Sequence, residues 1–114
     1  MNVFLEDLDG CYPALAGDHT VTYDPTFTTY AGGPVKVWSK YIASEGLWLF
    51  FWCKGSSGNF YMTIHGDAGM TGFPAYWSTE LLSVTFTCNP FYLQKTAAVD
   101  PVFCIGNFRG TVTE

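Results

Sequence analysis

The seven residues Leu47-Trp48-Leu49-Phe50-Phe51-Trp52-Cys53 contain no charged side chain, no Gly and no Pro. A run this rich in aromatic and branched side chains favours an extended strand. Strand alternation then sends Leu47, Leu49, Phe51 and Cys53 to one side and Trp48, Phe50 and Trp52 to the other. A strand apolar on both faces must be central and covered twice. The first set can fill the space between two packed sheets. The second set carries three large aromatics, and left bare it would match the largest apolar patch that soluble monomers tolerate, roughly 300–600 Å². A loop of the chain itself, of which Gly66–Pro74 is the one long enough, or another subunit must close it. The low charge of the chain favours the subunit, which places Trp48 or Trp52 at or near a subunit contact.

Other β-like runs recur every 10–15 residues with turn signals between them. They are His19–Tyr23, Val35–Ile42, Phe60–His65, Leu81–Cys88, Phe91–Lys95 and Asn107–Thr113, with an eighth strand if Asn2–Leu5 pairs. In Val35–Ile42, Val35 and Val37 alternate with Lys36 and Lys40, and Trp38 interrupts what reads as the polar face. Only Thr79–Leu82 hints at a helical turn. The 114 residues show no linker or repeat, so residues 1–114 read as one domain. The expected fold is all-β, an antiparallel β-sandwich of about seven to eight strands.

Charge narrows the function classes. Charged residues are 13% of the chain, half the usual share, and the net charge is −5 with four Lys and one Arg. A basic nucleic-acid-binding surface is excluded on that balance. Aromatics at 18% exclude a disordered chain. No apolar run approaches 18 residues, so no membrane-spanning helix is expected.

The four cysteines, Cys11, Cys53, Cys88 and Cys104, lie too far apart in sequence for the paired knuckles of a zinc site, and no Cys-x-x-Cys redox motif occurs. An even count fits two disulfides. Cys88–Cys104 would close a short loop and leave Cys11–Cys53; four buried thiols are the alternative. The first residues, Met1 to Asp7, lack the features of a secretory leader. Disulfides without a leader fit an excised mature module, or a virion component oxidised after release.

Four kinds of chemistry have candidate residues in the sequence. His65-Gly66-Asp67 offers a His and an Asp, but none of Ser39, Ser44, Ser56, Ser57, Ser78 and Ser83 sits in a Gly-x-Ser-x-Gly elbow. Glu80, beside Tyr76 and Trp77, is the one carboxylate in aromatic company, where a glycosidase needs an opposed pair. Glu6-Asp7-Leu8-Asp9-Gly10 resembles the start of a calcium loop without its later ligands, and reads as a solvated acidic lead-in. No catalytic residue, metal site or cofactor is expected. The aromatics Trp38, Trp48, Trp52, Tyr61, Tyr76 and Trp77 are the one rich group. They suit a core, a subunit interface or a platform for sugar rings.

The order of features also resembles a known kind of module. An early Cys11 is followed by Thr20-Val21-Thr22-Tyr23, a Trp-rich middle with Leu47-Trp48-Leu49, then Cys88-Asn89-Pro90-Phe91-Tyr92-Leu93, Cys104 and Thr111-Val112-Thr113. This is similar to cysteine-containing β-modules of uncharacterised planctomycete and phage-like structural proteins. The resemblance implies an extracellular or particle-surface β-module and supplies no catalytic residues. The sequence therefore leads to a non-enzymatic structural protein that self-associates or joins a larger protein scaffold, such as a virion decoration, adaptor or fibre protein, or an extracellular filament subunit. The alternative is a carbohydrate-binding module using exposed Trp and Tyr. Trp38, Trp48, Trp52, Tyr76 and Trp77 are the expected interface or ligand platform.

Overall fold

The computed structural model describes residues 1–30, 33–54, 60–70, 75–81, 90–94 and 106–113. Within them ten strands form two antiparallel sheets. They are β1 (Asn2–Asp7), β2 (Gly17–Thr20), β3 (Thr22–Tyr23), β4 (Thr29–Tyr30), β5 (Gly33–Ile42), β6 (Leu47–Lys54), β7 (Phe60–His65), β8 (Trp77–Leu81), β9 (Phe91–Leu93) and β10 (Phe108–Thr113). One sheet has the order β2-β1-β10-β9; the other runs β3-β5-β6-β7-β8, with β4 also pairing β5. The expected all-β sandwich is what forms. Its small sheet joins the two chain ends, with Val3 opposite Val112.

The elements follow from local chemistry, with four departures. His19–Tyr23 is not one strand: it breaks at Val21, whose N–H donates to the Met1 carbonyl, and its halves join different sheets. The helical turn expected at Thr79–Leu82 is not found at Thr79–Leu81, because Trp77–Leu81 extends beside β7 as a strand. The remainder of the Leu81–Cys88 run lies outside the described residues. A short 3-10 turn at Pro13–Leu15 and the two-residue β4 carry no periodic signal. The extra pieces bring the count to ten strands where seven or eight were expected.

The main core fills the space between the sheets. Val3, Leu5, Leu93 and Phe108 from the small sheet meet Leu49, Phe51, Met62, Ile64 and Trp77 from the large one. Trp77 is anchored at its polar end as well, its indole Nε1–H donating to the Gly106 carbonyl at 2.6 Å. Gly106 has φ +75°, and a Cβ there would stand 2.5 Å from the Tyr12 ring. Only glycine combines that backbone with that approach.

Candidate functional site

Central strand β6 is apolar on both faces, and both faces are covered. Its second face begins a separate cluster of Val35, Val37, Phe50, Trp52 and Met70, with Phe27, Tyr30, Trp48 and Tyr61 packed against it. Phe50 is fully buried and Trp52 is 6% exposed. The cover is the chain's own. Phe27 meets Phe50 edge-on at 5.7 Å, and Tyr30 meets Trp52 edge-on at 5.1 Å. Tyr61 stacks on Trp52 at 4.3 Å from the adjacent strand. The sequence expectation that a subunit closes Trp52 and Phe50 is thus corrected. The segment carrying Phe27 and Tyr30 supplies most of the roof, and Gly66–Pro74 contributes Met70.

The His65-Gly66-Asp67 triplet shapes that roof. The Asp67 N–H donates to His65 Nδ1 at 2.8 Å, Asp67 Oδ1 accepts from the Gly69 N–H at 2.7 Å, and the Met70 N–H donates to the Asp67 carbonyl. The turn delivers Met70 in a left-handed conformation, φ 54°, with its side chain buried. A non-glycine residue in that region costs on the order of 1–2 kcal/mol, which thioether burial offsets. Trp52 is similarly satisfied at its polar edge, its Nε1–H donating to Thr63 Oγ1 at 3.0 Å.

The roof stops short of Trp48. This side chain is half-buried, lies 5.0 Å from the Tyr41 ring and stacks on Phe50 at 6.0 Å. Tyr41 is 49% exposed. The pair is thus a surface aromatic patch continuous with the roofed cluster. Of the remaining expected platform residues, Trp77 is enclosed in the main core, while Trp38 and Tyr76 are half-buried against it. Glu80 is exposed on strand β8, opposite Tyr61.

Strand β5 hides a second surprise. At Lys40 its expected polar face turns inward, because Lys40 pairs with Leu49 of β6, whose side chain fills the main core, while Lys36 stays exposed. Lys40 Nζ reaches His19 Nδ1 of the small sheet at 3.0 Å, and His19 Nε2 lies 2.7 Å from the Leu15 carbonyl. The ammonium can only donate, so Nδ1 accepts and Nε2–H donates to Leu15. Burial pushes the His19 pKa down, and the neighbouring Lys40 charge adds to that against the Leu15 hydrogen bond and Asp18. A neutral histidine thus ties the two sheets.

The acidic lead-in is tied down rather than merely solvated. Asp7 accepts from the Gly10 and Tyr12 N–H groups, and Asp9 from those of Cys11, Gly106 and Asn107. Burial opposes the Asp9 charge, but these backbone donors prevail and hold its pKa below the usual carboxylate value. Cys53 is a buried free thiol, which overturns the Cys11–Cys53 pairing and with it the two-disulfide scheme. Cys11 is disulfide-bonded. Cys88 and Cys104 lie outside the described residues. Among the described residues no cluster of three His, Cys, Asp or Glu could hold a metal, and no helix is long and apolar enough to cross a membrane.

A second surface escaped sequence reasoning. On the outer side of the small sheet, Phe4 is 42% and Tyr92 62% exposed. Between their strands Arg109 donates from Nη2 to Glu6 Oε2 at 2.6 Å. Alternation carried the signal, since Val3 and Leu5 flank Phe4, and Phe91 and Leu93 flank Tyr92. Each aromatic therefore had to face away from the core.

No protein-family model, curated protein or solved structure matches the chain.

Proposed function

We propose that this chain is a non-enzymatic structural module that assembles with copies of itself, as a subunit of a virion or of an extracellular scaffold. The observation that carries the reading is the Tyr41–Trp48 pair. It is the part of the β6 second face that the chain's own roof leaves open, and it continues directly into the buried Phe50. A second copy laid on it would extend an apolar cluster already formed, and aromatic anchors of this kind dominate interface energetics. The engagement of His65 and Asp67 in building the Met70 turn supports the non-enzymatic part, because it gives this pair a structural task. The resemblance to β-modules of planctomycete and phage-like structural proteins points the same way.

Light scattering and native mass spectrometry across a concentration series test the reading. The native chain should form an oligomer or polymer, and Trp48→Ser should return it to a monomer with its β-sheet circular dichroism intact. A native chain that stays monomeric at every concentration would sink the proposal, as would assembly indifferent to both Trp48→Ser and Tyr41→Ser.

A further inference from the structure

The outer face of the four-stranded sheet has the geometry of a small ligand platform. Cross-strand register sets Tyr92, Arg109 and Glu6 in one row, and places Phe4 one row along, opposite Thr111. Adjacent strands lie about 4.8 Å apart and two residues advance about 6.8 Å, so the backbones of Tyr92 and Phe4 stand about 12 Å apart on the diagonal. Beside Phe4, and not reaching Tyr92, lies a depression of about 290 Å³ lined by Phe4, Glu6, Pro90, Arg109, Gly110 and Thr111. Arg109 donates from both Nε and Nη2 to the same oxygen, Glu6 Oε2, at 3.2 and 2.6 Å. Glu6 Oε1 has no partner among the described residues. Arg109 stands directly opposite Tyr92 in the β10–β9 register, so ring, guanidinium and carboxylate follow one another along the row.

We propose that this face binds a neutral pyranose oligosaccharide. A pyranose presents a flat face of C–H bonds and a rim of hydroxyls. The C–H face suits an exposed aromatic ring, and two rings whose backbones stand about 12 Å apart suit a short chain of sugars better than a single one. Each hydroxyl both donates and accepts, which matches a carboxylate oxygen beside a guanidinium in fixed geometry. The strands β1 and β10 that carry this pair have neighbours on both sides, so the platform is held in place before a ligand arrives. Other occupants fit less well. A polyanion would meet Glu6, the exposed Asp18 on β2 and a net charge of −5. An extended peptide adds to a sheet edge, whereas this is a face. A second copy prefers an interface centre poor in charge, and here the ion pair sits at the centre. The proposal does not depend on assembly through Trp48, which lies on the other sheet.

The test is amide NMR and calorimetry with cellohexaose, mannohexaose and chitohexaose at up to millimolar concentration. At least one should shift the resonances of Phe4, Tyr92 and Arg109. Tyr92→Ala should weaken that sugar about tenfold, the loss of one stacked ring. Glu6→Gln should weaken it and change the ranking among the three, while Tyr41→Ser should leave binding unchanged. Circular dichroism confirms that each variant is folded. The proposal is overturned if no sugar shifts these resonances, if shifts map elsewhere, or if Tyr92→Ala binds as tightly as the native chain. It is equally overturned if Tyr92→Ala, but not Tyr41→Ser, dissolves an oligomer, because the face then belongs to a second copy.

Discussion

The two sheets share one inner core but treat their outer faces in opposite ways. The outer face of the six-stranded sheet carries Phe50, Trp52, Val35 and Val37, and the chain folds Phe27, Tyr30 and Met70 over it. The outer face of the four-stranded sheet carries Phe4 and Tyr92 among Glu6, Arg109 and Thr111, and among the described residues none forms such a roof over it. Aromatic content alone does not separate them. Density does: contiguous aromatics across neighbouring strands demand cover, whereas single aromatics spaced by charged and hydroxyl side chains remain stable in water.

The sharpest way to break this contrast is to truncate a phenylalanine on each side. Phe50→Ala should destabilise by about 3–5 kcal/mol, since it opens a cavity beneath the roof. Phe4→Ala on the open face should change stability by less than about 0.5 kcal/mol. Urea unfolding compares the two, and equal losses would erase the distinction.

A smaller effect should follow from thinning the roof. Phe27→Ala removes a half-buried ring and should cost about 1–2 kcal/mol. It should also shift tryptophan emission to the red as Trp48 and Trp52 gain water. An unchanged spectrum would mean that Phe27 does not cover the face.

The fold class was legible because alternation and turn residues repeat along the chain. Strand β7 falls on Phe60–His65 as read, and the two-sided character of β6 follows from seven consecutive residues. The identity of the cover was not legible. Phe27 and Tyr30 sit in a Thr-rich stretch with no periodic pattern, and what recruits them is the aromatic surface they land on. Lys40 misled for a related reason. Its inward turn depends on a histidine distant in sequence that accepts its hydrogen bond, and a sequence read locally treats lysine as solvated. The open platform was readable at Phe4 and Tyr92 from alternation alone, but it holds none of the four tryptophans, the residues that dominate the aromatic signal of the sequence.

The link between the sheets responds to pH. The folded-state pKa of His19 lies below its ordinary value of 6.5. The unfolded chain therefore takes up the proton first as pH falls, and stability is lost. The His19 contribution should be complete above about pH 6.5 and decline as pH drops towards the folded-state value. Protonation at Nδ1 would also set a cation against the Lys40 ammonium. Urea midpoints from pH 8 to pH 5 check this: the native chain should lose stability over that window, and His19→Gln should show a flatter profile. A native profile as flat as that of His19→Gln would remove the neutral tie.

The smallest effect belongs to the Glu6–Arg109 pair. Both side chains are nearly half exposed, so Glu6→Gln should leave the urea midpoint unchanged within error at moderate salt. A clear loss would show that the open face is a structural element of the sheet.

Solvent paramagnetic relaxation of aromatic ring protons, recorded with a soluble gadolinium chelate on dilute monomer, tests the central contrast most directly. Phe4 and Tyr92 should relax strongly, Tyr41 and Trp48 to an intermediate degree, and Phe50 and Trp52 should be protected by the chain's own roof. Relaxation of Phe50 and Trp52 as strong as that of Phe4 in the monomer would contradict this, because the roof would then be absent and the second face of β6 would have to be closed by another molecule.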